Sequence, residues 1–228
     1  MRASPPPTVH PELLLMLLAD ARLPTSGHTQ SGGLEAALLG GLDPAHLDEY
    51  CRTRLETVTV TEAATAVVCR SRAVSGRPTD DVESAWAART PSAALRDASR
   101  SLGRAYRRVA LRLWSSAPAL EDLVAATSPS RARVLGLVAA ATGLSTEAVA
   151  RLVAYDDLQS VLAASLKLLP GDPVDATARL LTLAPEIDML VDRVALLTSP
   201  DEIPAWSAPQ IEAWAEAHAT TERRLFRA

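Results

Sequence analysis

Along most of the chain, apolar residues recur at three- and four-residue intervals, the period of an amphipathic helix. The clearest run is Leu102, Tyr106, Val109 and Leu113, which follow i, i+4, i+7 and i+11 and so share one face. Arg100, Arg104, Arg108 and Arg112 form a neighbouring stripe, which reads as the solvated outer face of that helix rather than as a dock for an acidic partner. Helix starts are marked by a capping residue followed by proline: Asp43-Pro44, Thr90-Pro91, Ser128-Pro129 and Asp172-Pro173. The cap side chain accepts from an orphan backbone N–H, and proline in the first turn gives up a donor that has no partner there. These signals predict helices near 12–21, 33–41, 44–74, 79–89, 92–116, 129–142, 145–168, 173–198 and 207–221. Gly143 ends one helix before Ser145 caps the next, and Pro170-Gly171 stops that one. Pro185, inside an apolar-periodic stretch, predicts a kink or a break. The expected fold is all-α: a single-domain helical bundle of about eight to ten helices over residues 10–221, preceded by a disordered Pro-rich segment, 1–9.

Composition sharpens this picture. With 48% apolar residues but only 4% aromatics, the core must be built from Ala, Leu and Val, and the first two are strong helix formers. The formal charge of −4, with both signs interspersed, gives no electrostatic reason to expect nucleic acid or an anionic membrane as a partner. Cys51 and Cys69 fall in one predicted helix, roughly 27 Å apart at ~1.5 Å per residue, too far for a disulfide. They read as buried thiols of a reducing compartment. The apolar run from Leu13 to Ala19 is shorter than the ~20 residues a spanning helix needs, and prolines, His10 and Glu12 precede it. It reads as the first amphipathic helix of a cytoplasmic protein.

Candidate chemistry is sparse. There is no G-x-x-x-x-G-K-[ST] loop, no strand-linked G-x-G-x-x-G and no G-x-S-x-G elbow. His10, His28, His46 and His218 are widely spread, with no pair at metal-ligand spacing. Asp80-Asp81, Asp156-Asp157 and Asp201-Glu202 are each read as solvated charge, the first of them placed to stabilise a helix N-terminus. No catalytic residue, cofactor site or metal site is expected, and the chain is read as a non-enzyme.

One stretch is more specific. Leu23-Pro24-Thr25-Ser26-Gly27-His28-Thr29-Gln30-Ser31-Gly32-Gly33-Leu34-Glu35 runs from a helix end through a small-residue loop into a new helix. It resembles the N-terminal signature of the urease accessory protein F family, roughly L-P-x-G-[GA]-[FY]-[ST]-x-S-x-G-L-E. Ser26 stands where glycine is usual and His28 where an aromatic is usual. Arg96, Ser99 and Gly103 match the family's R-x-x-S-x-x-x-G, and Ser165 to Gly171 is similar to its V-K-L-x-P-x-G. That second match places the chain's only lysine, Lys167, on a family position, although one residue is missing before Gly171. His218-Ala219-Thr220 and Arg224-Leu225-Phe226 resemble the closing H-E-T and R-L-F, with Ala219 in place of the acid. These matches run in order along nearly the whole chain.

The resemblance implies an all-α homodimer without catalysis of its own. It would join a D/H-type urease accessory protein and a G-type accessory GTPase on apo-urease to support nickel insertion, with nickel and GTP held by the partners. It further implies partner-binding positions at Gly27, His28, Ser31, Glu35, Lys167, His218, Arg224, Leu225 and Phe226, and a flexible partner-binding tail over 222–228. Phe226, the only phenylalanine, either anchors in a partner's pocket or folds back onto its own helices. Lys167 reads either as a partner-contacting charge or as an exposed cation favoured at a helix C-terminus. His28 reads as a loop histidine with one hydrogen bond, the alternative being a transient nickel or proton site. Outside the resemblance, the rival readings are a helical adaptor or regulatory protein unrelated to urease, and an unrecognised hydrolase.

Overall fold

The computed structural model describes residues 9–25, 27–222 and 224–226, with the side chain of His28 excepted. The expected disorder of the Pro-rich N-terminus, and the readings placed on Ser26 and the His28 ring, lie outside the described residues. The described chain is helical and contains no strand. Its helices are α1 (Pro11–Ala19), α2 (Leu34–Leu39), α3 (Leu47–Arg54), α4 (Val60–Val74), α5 (Asp80–Ala88) and α6 (Ala93–Leu113). They continue with α7 (Glu121–Ala125), α8 (Arg131–Thr142), α9 (Thr146–Leu168), α10 (Pro173–Thr182), α11 (Ala184–Val194) and α12 (Pro209–Ala219). A π-helical turn, Leu55–Thr59, joins α3 to α4 without interrupting the helical path.

The centre of the bundle is α4 packed against α8 and α9. Every residue from Val60 to Cys69 is buried, as is every residue from Arg131 to Ala139, so these two helices are enclosed on all sides rather than half-exposed. Small residues make this possible. A Cβ built on Gly136 would stand 2.4 Å from the Ala66 carbonyl oxygen and 2.6 Å from Cys69 Cβ, so α8 lies against α4 at a distance only glycine permits. Leucines and valines of α9, α11 and α1 close the core around this pair.

Three features depart from the pattern-based expectation. The inward face of α6 is Ser99, Gly103, Tyr106 and Ala110, with Val109 beside it, because close approach to α8 selects small residues. Leu102 is half-buried, and Leu113 is exposed while Trp114 turns inward. The caps of α6 and α8 are Ser92 and Ser130, two residues beyond the predicted Thr90 and Ser128. Each of these serines accepts from an N3 backbone N–H, at 3.2 Å in both cases, and donates to a distant carboxylate, Ser92 to Glu216 and Ser130 to Glu83. Asp43 and Asp172 cap as expected. The short α7 was not foreseen; Leu120 and Leu123 anchor it in the core. The chain breaks at Leu183, between α10 and α11 and next to Pro185, as proline requires.

Candidate functional site

Glu35 sits in the first turn of α2, which follows the signature loop. Gly33 precedes the helix at φ 77°, a left-handed conformation that glycine adopts without cost. Glu35 is buried, at 7% exposure, and its carboxylate accepts from the backbone N–H groups of Leu225 at 2.7 Å and Phe226 at 2.8 Å. Nε2 of the buried His218, on α12, lies 3.2 Å from the same carboxylate. One carboxylate thus ties the signature loop, the last helix and the C-terminal segment together across about 190 residues, as the partners' numbering shows. Phe226 is buried, and the Lys167 ammonium stands 5.2 Å from its ring centroid in a cation–π contact.

Of the two readings open for Phe226, the structure therefore shows the fold-back. The ring packs into the core cluster of this chain and is not presented outward, so the described part of the tail, 224–226, is held rather than free. Leu225, 63% exposed, and Lys167 remain at the surface beside it. Gly27 shares a cleft of about 140 Å³ with Lys167 and Phe226. Ser31 is buried under α2, where its hydroxyl oxygen accepts from Glu35 N–H at 3.4 Å. Arg224 is exposed. His28 contributes its backbone to a short 3-10 turn, Gly27–Thr29, and its ring is outside the described residues. The structure thus gathers Glu35, Lys167, His218, Leu225 and Phe226 into one cluster, with Gly27 and Ser31 at its edge.

Behind this cluster lies a set of buried charges that sequence reasoning missed. Arg54 donates to Asp157 through two N–H groups, at 2.6 and 3.0 Å, and the Thr59 hydroxyl donates to the same carboxylate at 2.6 Å. Burial alone would raise the Asp157 carboxyl, but Arg54, with help from Arg131 and the Thr59 hydroxyl, outweighs it and holds the group below its usual range. Asp156, next in the chain, pairs with Arg131 at 2.8 Å; burial pushes this carboxyl upward. The solvated-charge reading of Asp156-Asp157 is therefore corrected. Adjacent positions on α9 point toward two different arginines on two different helices, and both pairs sit within the bundle. Glu62 on α4 accepts from Trp86 Nε1 at 2.7 Å and Ser99 Oγ at 2.9 Å, and its other oxygen lies 3.6 Å from Arg131 Nε. Burial pushes Glu62 up, against the opposing pull of Arg131 and these hydrogen bonds. The available signal was a lone charge inside a run of small and apolar residues, as in Val60-Thr61-Glu62-Ala63-Ala64 and Arg131-Ala132-Arg133-Val134.

The other paired acids lie nearer the surface. Asp80 and Asp81 open α5, where each also meets an arginine, and Glu202 accepts from the backbone N–H groups of Thr198 and Ser199. Of the arginine stripe on α6, Arg104, Arg108 and Arg112 are exposed, while Arg100 lies over the Trp86 ring at 5.5 Å. Among the described residues, no group of three or more His, Cys, Asp or Glu side chains is arranged to hold a metal ion. No described helix is long and apolar enough to cross a membrane.

Comparison with known proteins agrees with the motif resemblance. A family model described as UreF matches residues 42–184. Urease accessory protein UreF of Mycolicibacterium vanbaalenii is 33% identical over 214 residues, covering 93% of this chain and 96% of the relative. The protein of the same name from Mycobacterium marinum is 33% identical over 215 residues, covering 93% and 97%. That of Mycobacterium tuberculosis is 31% identical over a similar span, again covering 93% and 97%. The chain belongs to the urease accessory protein UreF family.

Proposed function

We propose that this chain is a non-catalytic scaffold of urease maturation. It joins a D/H-type accessory protein and a G-type accessory GTPase on apo-urease and so supports nickel insertion, while the partners carry the nickel and the GTP. It works in the cytoplasm as a homodimer. The observation that carries this reading is the meeting of family-motif positions from opposite ends of the chain. Glu35, Lys167, His218 and the Leu225-Phe226 pair form one cluster, and its rim offers an ammonium group and an exposed leucine. A rim with a cation and an exposed apolar side chain suits capture of a protein partner better than turnover of a small substrate. Co-expression with the D/H-type and G-type accessory proteins and apo-urease tests the reading. A co-purifying complex and a nickel-dependent rise in urease activity are expected; absence of both would sink it.

A further inference from the structure

The outer face of α6 carries charge that the fold leaves unanswered. Its 21 residues include six arginines (Arg96, Arg100, Arg104, Arg107, Arg108 and Arg112) and one acid, Asp97. From Ala98 to Leu120 the chain has no Asp or Glu. Among the described residues only Arg100 has a carboxylate as near as 4.0 Å, that of Glu83. Most of the others turn to neutral oxygens. Arg96 donates to the Thr90 and Pro91 carbonyls, Arg104 to Ser128 Oγ at 2.9 Å, and Arg108 to the Pro24 carbonyl at 3.2 Å. Arg107 donates to the Leu123 and Val124 carbonyls at 2.6 and 2.7 Å. Arg112 makes no hydrogen bond or ion pair among the described residues. Bonds to neutral oxygens hold the guanidinium forks in place and leave their charge intact, with most of the five N–H groups of each still open. Arg104, Arg108 and Arg112 are exposed and repeat every four residues, ~6 Å apart along the helix axis. Like charges at that spacing repel and weaken their own helix. Leu113 at the end of α6 and Val124 beside Arg107 are exposed and add apolar contact at the margins.

This face, read from the pattern as solvated, is solvated, but its charge is out of balance with the molecule. The chain has a formal charge of −4 and α6 alone contributes +5, so the remaining residues carry −9. Electrostatic reach at physiological salt is about 8 Å. A nucleic acid or an anionic membrane extending past the ~24 Å between Arg96 and Arg112 would therefore meet that acidic remainder. A protein helix of matching length would not. Carboxylates at every fourth residue of such a helix advance by the same ~6 Å as the arginines, so the two rows meet fork to fork. We propose that α6 docks an acidic helix of a protein partner, whose Asp or Glu side chains at four-residue spacing pair with Arg104, Arg108 and Arg112. Ser128 and Pro24 already hold the first two of these arginines, which lowers the ordering cost of the contact. The face shares no residue with the Glu35 cluster, and the proposal does not depend on the urease reading.

The probe is a fluorescein-labelled, alanine-based helical peptide of about twenty residues, long enough to cover the face, with Glu at every fourth position. Its isomer has the same composition with the glutamates spread round the helix. Fluorescence anisotropy with the full chain is expected to show saturable binding of the Glu-row peptide, at least about tenfold tighter than the isomer and weakening as salt rises. Reversing the row, with Arg104→Glu, Arg108→Glu and Arg112→Glu together, weakens that binding by at least about tenfold. The reversed chain instead prefers a Lys-row peptide over the spread isomer of that peptide, a preference an unfolded chain cannot show. Arg112→Glu alone breaks no hydrogen bond or ion pair among the described residues and weakens the Glu-row peptide several-fold, which keeps the test decisive if the triple variant does not fold. Absence of saturable binding overturns the proposal, as does equal affinity for the two isomers. So does a DNA duplex that binds as tightly as the Glu-row peptide, or a folded reversal variant that binds the peptide like wild type.

Discussion

Asp157 is the residue on which the buried electrostatics turn. The residue is 7% exposed, and its carboxylate takes three hydrogen bonds from Arg54 and Thr59. The Arg54 guanidinium holds its pKa below the unfolded value of about 3.9, so the unfolded chain keeps this proton to higher pH than the folded one does. The stability this shift contributes is complete above the unfolded value and is lost as pH falls through the depressed folded value. Asp157→Asn removes that contribution and leaves Arg54 without a counter-charge. Near neutral pH the variant is expected to be less stable by about 3–5 kcal/mol, the usual cost of breaking a buried pair. The gap between wild type and variant, measured by urea denaturation, narrows as pH is lowered through about 3.9 and below. Glu62 and Asp156 are raised by burial and, to a smaller extent, by the Asp157 charge, so Asp157→Asn relieves both slightly at neutral pH and places the expected cost toward its lower figure of about 3 kcal/mol. A gap that stays constant across this range would mean that Asp157 is not held ionised by Arg54.

At the scale of elements, the two serine caps separate local from tertiary control. Thr90-Pro91-Ser92 and Ser128-Pro129-Ser130 each contain two residues able to cap, and pattern alone favours the one before proline. The structure uses the one after it, because Glu216 and Glu83 sit where they accept from the Ser92 and Ser130 hydroxyls. Ser130→Ala should therefore cost about 1–2 kcal/mol, while Ser128→Ala stays within about half a kcal/mol of wild type. Thermal denaturation of the two variants side by side checks this, and the reverse ranking would return the cap to Ser128. The π-turn at Leu55–Thr59 is a second device at this scale. One extra residue in the turn lets Arg54, just before it, and Thr59, its last residue, reach the same carboxylate on α9, and such turns often mark functional positions.

For the molecule as a whole, the C-terminal segment is a clasp. Removing residues 222–228 exposes the slot that Phe226 fills and leaves Glu35 and His218 facing each other without the backbone donors of Leu225 and Phe226. Burial of a phenylalanine contributes about 1.5–3 kcal/mol, which for a chain of this size is a fall in Tm of about 4–10 °C. Circular dichroism should show helicity nearly unchanged, since the described residues of the segment, 222 and 224–226, add no helix of their own. An unaltered Tm would mean that the clasp contributes nothing to the fold. The same deletion removes Leu225 from the rim of the cluster, so capture of a partner should weaken in the co-expression assay at a temperature where the truncated chain is still folded.

What the sequence determined by itself was local and periodic. Ala- and Leu-rich stretches with three- and four-residue apolar spacing could only be helices, two aspartate caps stood where they were read, and Pro185 broke the chain beside it. Motif order likewise marks the positions that cluster, because Glu35, Lys167, His218 and Phe226 all fall on motif positions of the sequence. Tertiary structure decided everything that depends on which faces meet. It selected Ser99 and Gly103 over Leu102 for the contact with α8, chose between paired cap residues, and turned Asp157 and Asp156 from apparent surface charge into a buried and a half-buried ion pair. The physical reason is range. A helix is specified by neighbours within one turn, whereas a buried charge is stable only if a partner some hundred residues away, such as Arg54 for Asp157, arrives at hydrogen-bonding distance.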